Sequence, residues 1–550
     1  MSMNEFAPET PRSRLHLLAL AGALLVGAGA RVYVAAHAEI LARDGTVYLL
    51  MAREFQSAPA GEVARSFAYH PGYSAVVSVL AGWLHPAWPD GWIVLARGVS
   101  IVAGLVALAA LYAIARNIFD RRVAMVTVWL AALGETFTEV SADVVSDAPA
   151  VAMTLVSVAL AMAARRALSA GRPRGMLWAV ASGLAVGAGY LFRPEELLAA
   201  VVSAGIVLWP GEARTGTRRL RLAAAGGLVA AALLCVIPYA AAVGGLTQKK
   251  TLGDFVCAGG STLLADSTLS EETIGAVRRT FDRGRQAMGL AVAPLAAVFW
   301  VTWLLKGILR VPFPRVLLIR PRPAGLWAMF APLAFLSPLL VAMEVRLGPG
   351  YLSSRHLLMP ALLLTPCAGA GLMILVQDTL LLTGWLGWAR RERAFVLLWT
   401  GAMVAVSVFR ALPALHEGKG GYRAAGEAIA RQLGPGRRVL SPNGWAPFFA
   451  GSPADGVMRF SSHPFELRPE DLASPDALWR RMGGEGVLTY PAVAVNRGFL
   501  DDAPDPRLFD ALRRDPRFLV LGPFGPAGKH SVWVILAAPQ AETAPFRQTL

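Results

Sequence analysis

Runs of Leu, Ala, Val and Gly recur between residues 15 and 411, and short arginine-rich segments separate them. About twenty apolar residues in a helix cross a bilayer. The runs predict crossings over about 15–37, 92–115, 123–142, 148–164, 176–192, 196–210, 222–243, 287–305, 325–343, 355–378 and 394–411. That makes eleven, or up to thirteen if "DTLLLTGWLGW" (378–388) and its surroundings cross rather than lie flat at the interface. From about residue 415 the pattern changes. "GYRAAGEAIARQL" (421–433) has helical periodicity and ends at "GPG"; "RRVLS" (437–441), "GVLTYPAVAV" (486–495), "FLVLGPF" (518–524) and "SVWVILAAP" (531–539) read as strands. The predicted architecture is a polytopic α-helical membrane domain, 1–411, followed by a small α/β soluble domain, 412–550.

The segments between the runs alternate in character. Arg12 and Arg14 precede the first run, and "RNIFDRR" (116–122), "RRALSAGRPR" (165–174), "GEARTGTRRLR" (211–221), 306–323 and "ARRER" (389–393) are basic. Cytoplasmic loops carry such an excess of Lys and Arg. The other connections, 38–91, 143–147, 193–195, 244–286, 344–354 and the tail from 412, are then external. Within the first of them, 45–57 and "YHPGYSAVVSVLAGWLHPAW" (69–88) read as amphipathic helices at the outer interface.

Composition agrees: 55% of the 550 residues are hydrophobic and only 16% charged, against about a quarter in soluble proteins. A net charge of +15 invites a nucleic-acid partner, but the arginines lie in the loops that set topology, which argues against one. The first apolar run is too long for a signal-peptide core and is expected to be retained. Cys235 and Cys367 lie in apolar runs and Cys257 in a loop, with no pairing or metal spacing.

Ionisable and aromatic residues gather at span ends on the predicted outer side. Asp44 follows the first span, and Tyr69 and His70 precede Pro71. Asp143 and Asp147 lie in "SADVVSDAPA", and Arg193 and Glu195 in "LFRPEEL". Glu344, Arg346, Tyr351, Arg355 and His356 surround "MEVRLGPGYLSSRHLLMP". Plain structural roles exist for several. Asp44 and Asp147 each precede a helical pattern and could be N-caps. Arg193 could snorkel to the interface. Arg355 is different, because a cation at a helix start opposes the helix dipole unless an anion is bound there. Carboxylates can serve as general bases, and Arg and His can hold a departing phosphate. A transporter also keeps ionisable groups at membrane depth, though it more often sets them mid-span beside broken helices.

The order of these elements resembles glycosyltransferase family 39 of the C superfamily of membrane glycosyltransferases, which includes the protein O-mannosyltransferases and the bacterial lipid A aminoarabinose transferases. The resemblance rests on "RDGTVYLLMA", "YHPGYSAVV", "ARGVSIVAGL", "SDAPAVAM", "RPE", "SRHLLMPALLL" and "YRAAGEAIARQLGPGRRVLS", in that order along nearly the whole chain. Gly72 and Tyr73 stand where the family has Pro and Leu. The resemblance implies an inverting transferase at the outer face of the bacterial inner membrane. Its donor would be a polyprenyl-phosphate-linked sugar and its acceptor an envelope lipid, glycan or protein. The C-terminal domain would be extracytoplasmic. By position, Asp44 and Asp147 would be the catalytic acids. Tyr69, His70, Arg355 and His356 would line the donor phosphate or sugar, with Arg193 and Glu195 in support. A divalent metal occurs in some relatives, and no spacing here fixes its ligands. The alternatives are a polytopic lipid or solute transporter and a non-catalytic envelope scaffold.

Overall fold

In the computed structural model the described residues are 12–209, 217–248, 271–309, 353–382, 415–453, 469–483, 489–497, 507–528 and 530–538, with isolated positions between them such as Trp327, Leu340, Glu344 and Leu467. The predicted crossings 325–343 and 394–411 fall almost wholly outside them, as do 383–388, Arg346, Tyr351 and Cys257. In chain order the first helices are α1 (Arg12–His37), α2 (Arg43–Glu54), α3 (Ala60–Ser66), α4 (Gly72–Leu84), α5 (Asp90–Ile118), α6 (Arg121–Ala132) and α7 (Glu135–Ala142). They are followed by α8 (Asp147–Ser169), α9 (Arg174–Phe192), α10 (Leu198–Leu208), α11 (Thr217–Val243), α12 (Glu271–Leu309) and α13 (Leu358–Leu382).

Six helices among the described residues are long and apolar enough to cross a membrane, or eight if two bent pairs each count as one crossing. Of the nine predicted crossings that fall within the described residues, three depart from a single long helix. Span 123–142 is broken into α6 and α7, bent by 61°. Span 196–210 is reduced to α10, eleven residues preceded by a 3-10 turn at Pro194–Leu197. Span 287–305 is interrupted at Gly289, whose φ of 73° an L side chain rarely adopts, and the helix bends there by 106°.

The chain forms two compact units. The first comprises Met1–Ala36, His70–Tyr73 and Arg97–Pro413. Lipid tails are as apolar as leucine, so its helices associate through close packing and hydrogen bonds. Gly183 on α9 faces the Leu228 carbonyl of α11, and Gly371 on α13 faces the Leu295 carbonyl of α12; a Cβ at either position would collide with backbone. Ser157 on α8 bonds Ser182 on α9 at 2.9 Å and Ser203 on α10 at 2.8 Å.

The break between α6 and α7 has its own partner. Arg31, on α1, is fully buried. It donates from Nη1 to the Ala132 carbonyl at 2.9 Å and from Nε to Ser141 Oγ at 2.6 Å, and its guanidinium lies 4.7 Å from the Phe137 ring centre. The Ala132 carbonyl ends α6, where the bend takes it out of the helical ladder. Arg31→Met is expected to leave the Ser141 hydroxyl oxygen without its donor and the Ala132 carbonyl with only the Thr138 hydroxyl at 3.5 Å, at about 1–3 kcal/mol for a buried unsatisfied group. A thermal melt of the detergent-solubilised protein checks this; an unchanged midpoint would show that the break holds itself.

The second unit comprises His37–Tyr69, Ser74–Ala96 and Ala414–Leu550. Its tail has helices α14 (Gly420–Leu433), α15 (Trp445–Phe449), α16 (Pro475–Met482) and α17 (Leu508–Arg514), and strands β1 (Val439–Leu440), β2 (Ala492–Asn496), β3 (Phe518–Phe524) and β4 (Val532–Ala537). The sheet order is β1-β2-β4-β3, with β1 parallel to β2 and the other pairs antiparallel. Leu440, Val493, Val495, Leu512, Phe518 and Ile535 are among the residues of its core. The tail packs on the first inter-span segment inside this unit. Trp445 Nε1 donates to the Leu41 carbonyl at 2.9 Å, Gly420 N to Glu39 Oε2 at 2.8 Å, and Arg423 Nη2 to Asp90 Oδ2 at 2.9 Å. The Trp88 and Phe448 rings lie 5.1 Å apart.

Candidate active site

In the first unit, α9 ends at Arg193. The residue before a proline avoids the helical region, and Arg193 is extended, with φ −150° and ψ 130°. The turn after it, Pro194–Leu197, presents Glu195 and Glu196. Arg193 bonds Asp147 through Nη1 and Glu195 Oε1 through Nε, the latter at 2.5 Å. Asp147 is the first residue of α8 and only 4% exposed. Two turns further along α8, the Thr154 hydroxyl donates to Glu196 Oε2.

A second turn, Ser354–Leu357, leads into α13 and carries Arg355 and His356. Ser353 and His356 form a reciprocal cap, in which His356 Nδ1 lies 3.2 Å from Ser353 N and 3.0 Å from its hydroxyl. Asp147, Arg193, Glu195, Glu196, Arg355 and His356 line one cleft, open to solvent, together with Val151 and Met359. Two guanidiniums and three carboxylates face it, so it offers both an anion site and acceptors for hydroxyl groups.

The other two predicted donor-binding residues do not line this cavity. His70 is 2% exposed and sits in the first unit among aromatic rings, 5.1 Å from Tyr190 and 4.8 Å from Tyr239 between ring centres. Its Nε2 is 3.3 Å from the Thr247 hydroxyl. Tyr69 belongs to the second unit, where its hydroxyl donates to Asp44 Oδ1 at 3.0 Å and its ring meets Tyr48 edge-on at 5.1 Å. A small core of Val47, Met51, Val63 and Phe67 underlies this pair.

The N-cap readings are corrected. The residue capping α2 is Ala42 and that capping α8 is Ser146, neither with a side-chain cap bond. Asp44 and Asp147 stand inside their first turns, bonded to Tyr69 and Arg193. Glu344, expected near Arg355, pairs with Arg279 at 2.8 Å. Glu196 was missed because an apolar run from 196 onward reads as a span; the doubled acid after a proline in "RPEEL" was the available signal. Among the described residues no group of three or more His, Cys, Asp or Glu is arranged to hold a metal ion.

The model of the dolichyl-phosphate-mannose-protein mannosyltransferase family matches residues 92–241. No curated protein matches the chain. Among solved structures, the oligosaccharyltransferase AglB of Archaeoglobus fulgidus, in complex with an inhibitory peptide and a dolichol-phosphate, is 13% identical with a TM-score of 0.52. The likeness covers 98% of this chain and 75% of that one. ArnT of Cupriavidus metallidurans in the apo state is 16% identical with a TM-score of 0.52, covering 96% of this chain and 100% of that one. The same ArnT bound to undecaprenyl phosphate aligns with a TM-score of 0.51, at 16% identity over 96% of this chain and 100% of that one. The fold is shared with these proteins. The family match over residues 92–241 agrees with the resemblance drawn from the sequence to the O-mannosyltransferases.

Proposed function

We propose that the protein moves a sugar from a polyprenyl-phosphate carrier to an envelope acceptor (lipid, glycan or protein) at the outer face of the plasma membrane, with inversion at the anomeric carbon. The observation that carries this reading is the first-unit cavity, where Arg193 and Arg355 stand among carboxylates at the ends of apolar helices. The ArnT neighbour binds undecaprenyl phosphate and the AglB neighbour dolichol-phosphate, which supports a donor of that class.

The transfer balances simply. An acceptor oxygen attacks the anomeric carbon, the carbon–oxygen bond to phosphate breaks, and the phosphate leaves with the electron pair. The acceptor's proton passes to a carboxylate. We assign that base to Asp44 on the family resemblance of "RDGTVYLLMA", not on a placement beside the cavity; its Oδ1 accepts from the Tyr69 hydroxyl within the second unit. Arg355 neutralises the departing phosphate. Arg193 ties Asp147 and Glu195 together and so fixes the cavity wall. His356 is held by its cap and contributes at the cavity rim. His70, packed between Tyr190 and Tyr239, keeps the chain after α11 in place beside them.

Purified protein given an undecaprenyl-phosphate sugar should release undecaprenyl phosphate when acceptor is present. A donor that stays intact with every class of envelope acceptor would reject the reading.

Packing and charge both support an external tail. The tail shares a compact unit with residues 37–69 and 74–96, which supports placing both on one side of the membrane. The basic loops assign that side to the exterior. An even number of crossings must then separate α5 from the tail's start, counting α5. A reporter active only outside the cytoplasm, fused after Leu550, is expected to give signal. A silent external reporter with an active cytoplasmic one would overturn the assignment.

A further inference from the structure

Glu196 is the least explained acid in the cavity. It is 5% exposed, and a buried carboxyl is costly unless its oxygens find partners. One oxygen, Oε2, takes the Thr154 hydroxyl. The neighbouring guanidinium is already engaged, since Arg193 gives Nη1 to Asp147 and Nε to Glu195. Among the described residues Oε1 has no hydrogen-bond donor, and the side chain lines the cavity. A nearly buried side chain therefore presents an unused acceptor oxygen to the open space.

The chemistry of that oxygen narrows what it can meet. A carboxylate repels a phosphate, and a phosphate is better served by Arg355 on the turn Ser354–Leu357. A carboxyl oxygen instead accepts from hydroxyls, and its lone pairs suit adjacent hydroxyls of a pyranose or furanose ring. Resting on the transferase reading above, we propose that Glu196 is a specificity-determining residue that recognises the sugar of the lipid-phosphate donor. Thr154 is its positioning residue. It holds one oxygen so that the other faces the cavity.

The proposal separates two lipids that differ only in the sugar. Purified full-length protein and its Glu196→Gln, Glu196→Ala and Thr154→Val variants would be titrated with undecaprenyl phosphate alone and with the undecaprenyl-phosphate sugar that the wild type consumes. A hydrogen bond to a charged group is worth roughly 1.5–3 kcal/mol, so loss of the acceptor should weaken the sugar-bearing lipid about tenfold or more. Affinity for undecaprenyl phosphate alone should stay within about twofold of wild type. The effect should be largest for Glu196→Ala, smaller for the isosteric Glu196→Gln, and smallest for Thr154→Val. Equal losses for both lipids, or none for either, would overturn the proposal. Glu196→Gln keeps the shape, so it carries the test if Glu196→Ala melts. Failure of the transferase reading itself would be seen in the wild type, which would bind both lipids alike and consume neither; the proposal would fall with it.

Discussion

Asp44→Asn is expected to reduce sugar transfer by about 10²–10⁴-fold, the range that a positioned general base contributes. Asparagine keeps the size and can still accept from the Tyr69 hydroxyl, but it cannot take the acceptor's proton. The residue is not the N-cap of α2, a position held by Ala42, and it is only half-buried. Folding should therefore be nearly unaffected, and the melting midpoint should stay close to wild type. Tyr69→Phe removes the donor at 3.0 Å and is expected to give a smaller loss than Asp44→Asn. The check is turnover of an undecaprenyl-phosphate sugar by both variants, alongside a thermal melt of each. Substantial turnover by Asp44→Asn would take the base role away from this residue. A collapse of stability in Asp44→Asn would instead return it to a structural role in the first turn of α2.

The features that were legible in the sequence share a cause. Hydrophobic runs report burial in lipid directly, so α1, α5, α8, α9, α11 and α13 coincide with predicted crossings. The tail's elements follow local periodicity, and the predicted strand 518–524 is β3, Phe518–Phe524. Breaks inside runs were not legible, because composition stays apolar across them. "LAALGETFTEV" carries α6 into α7 through a 61° bend, and nothing in its hydropathy marks the turn. Arg31 was hidden for the opposite reason. A single cation near the end of a long run reads as a boundary residue, yet it is buried and serves the carbonyl freed by a break about a hundred residues away. At the site, the sequence named the polar residues and the structure supplied their pairing. Arg193 reaches Asp147 across 46 positions, and no spacing rule brings those two together. Glu196 needed the 3-10 turn, which delays α10 to Leu198 and leaves the second acid on the cavity wall.

Arg355→Ala is expected to weaken binding of undecaprenyl phosphate by about tenfold to a hundredfold, the range of one charge-assisted hydrogen bond. The residue sits in the turn that starts α13, where a cation opposes the dipole of its own helix. Arg355 lines the cavity with Asp147, Glu195 and Glu196, and an anionic ligand there would complement it. A guanidinium can hold two phosphate oxygens at once and stays charged at every working pH. Arg355→Lys keeps the charge and loses the fork, so its loss should fall between wild type and Arg355→Ala. Because the contact is to phosphate, both variants should weaken undecaprenyl phosphate with and without its sugar to the same degree. That pattern is the reverse of the one expected for Glu196. Binding titrations with the two lipids and a thermal melt on the same preparations decide the matter. Unchanged lipid affinity with a lowered melting point would make Arg355 a structural partner of the cavity's acids and end the phosphate assignment.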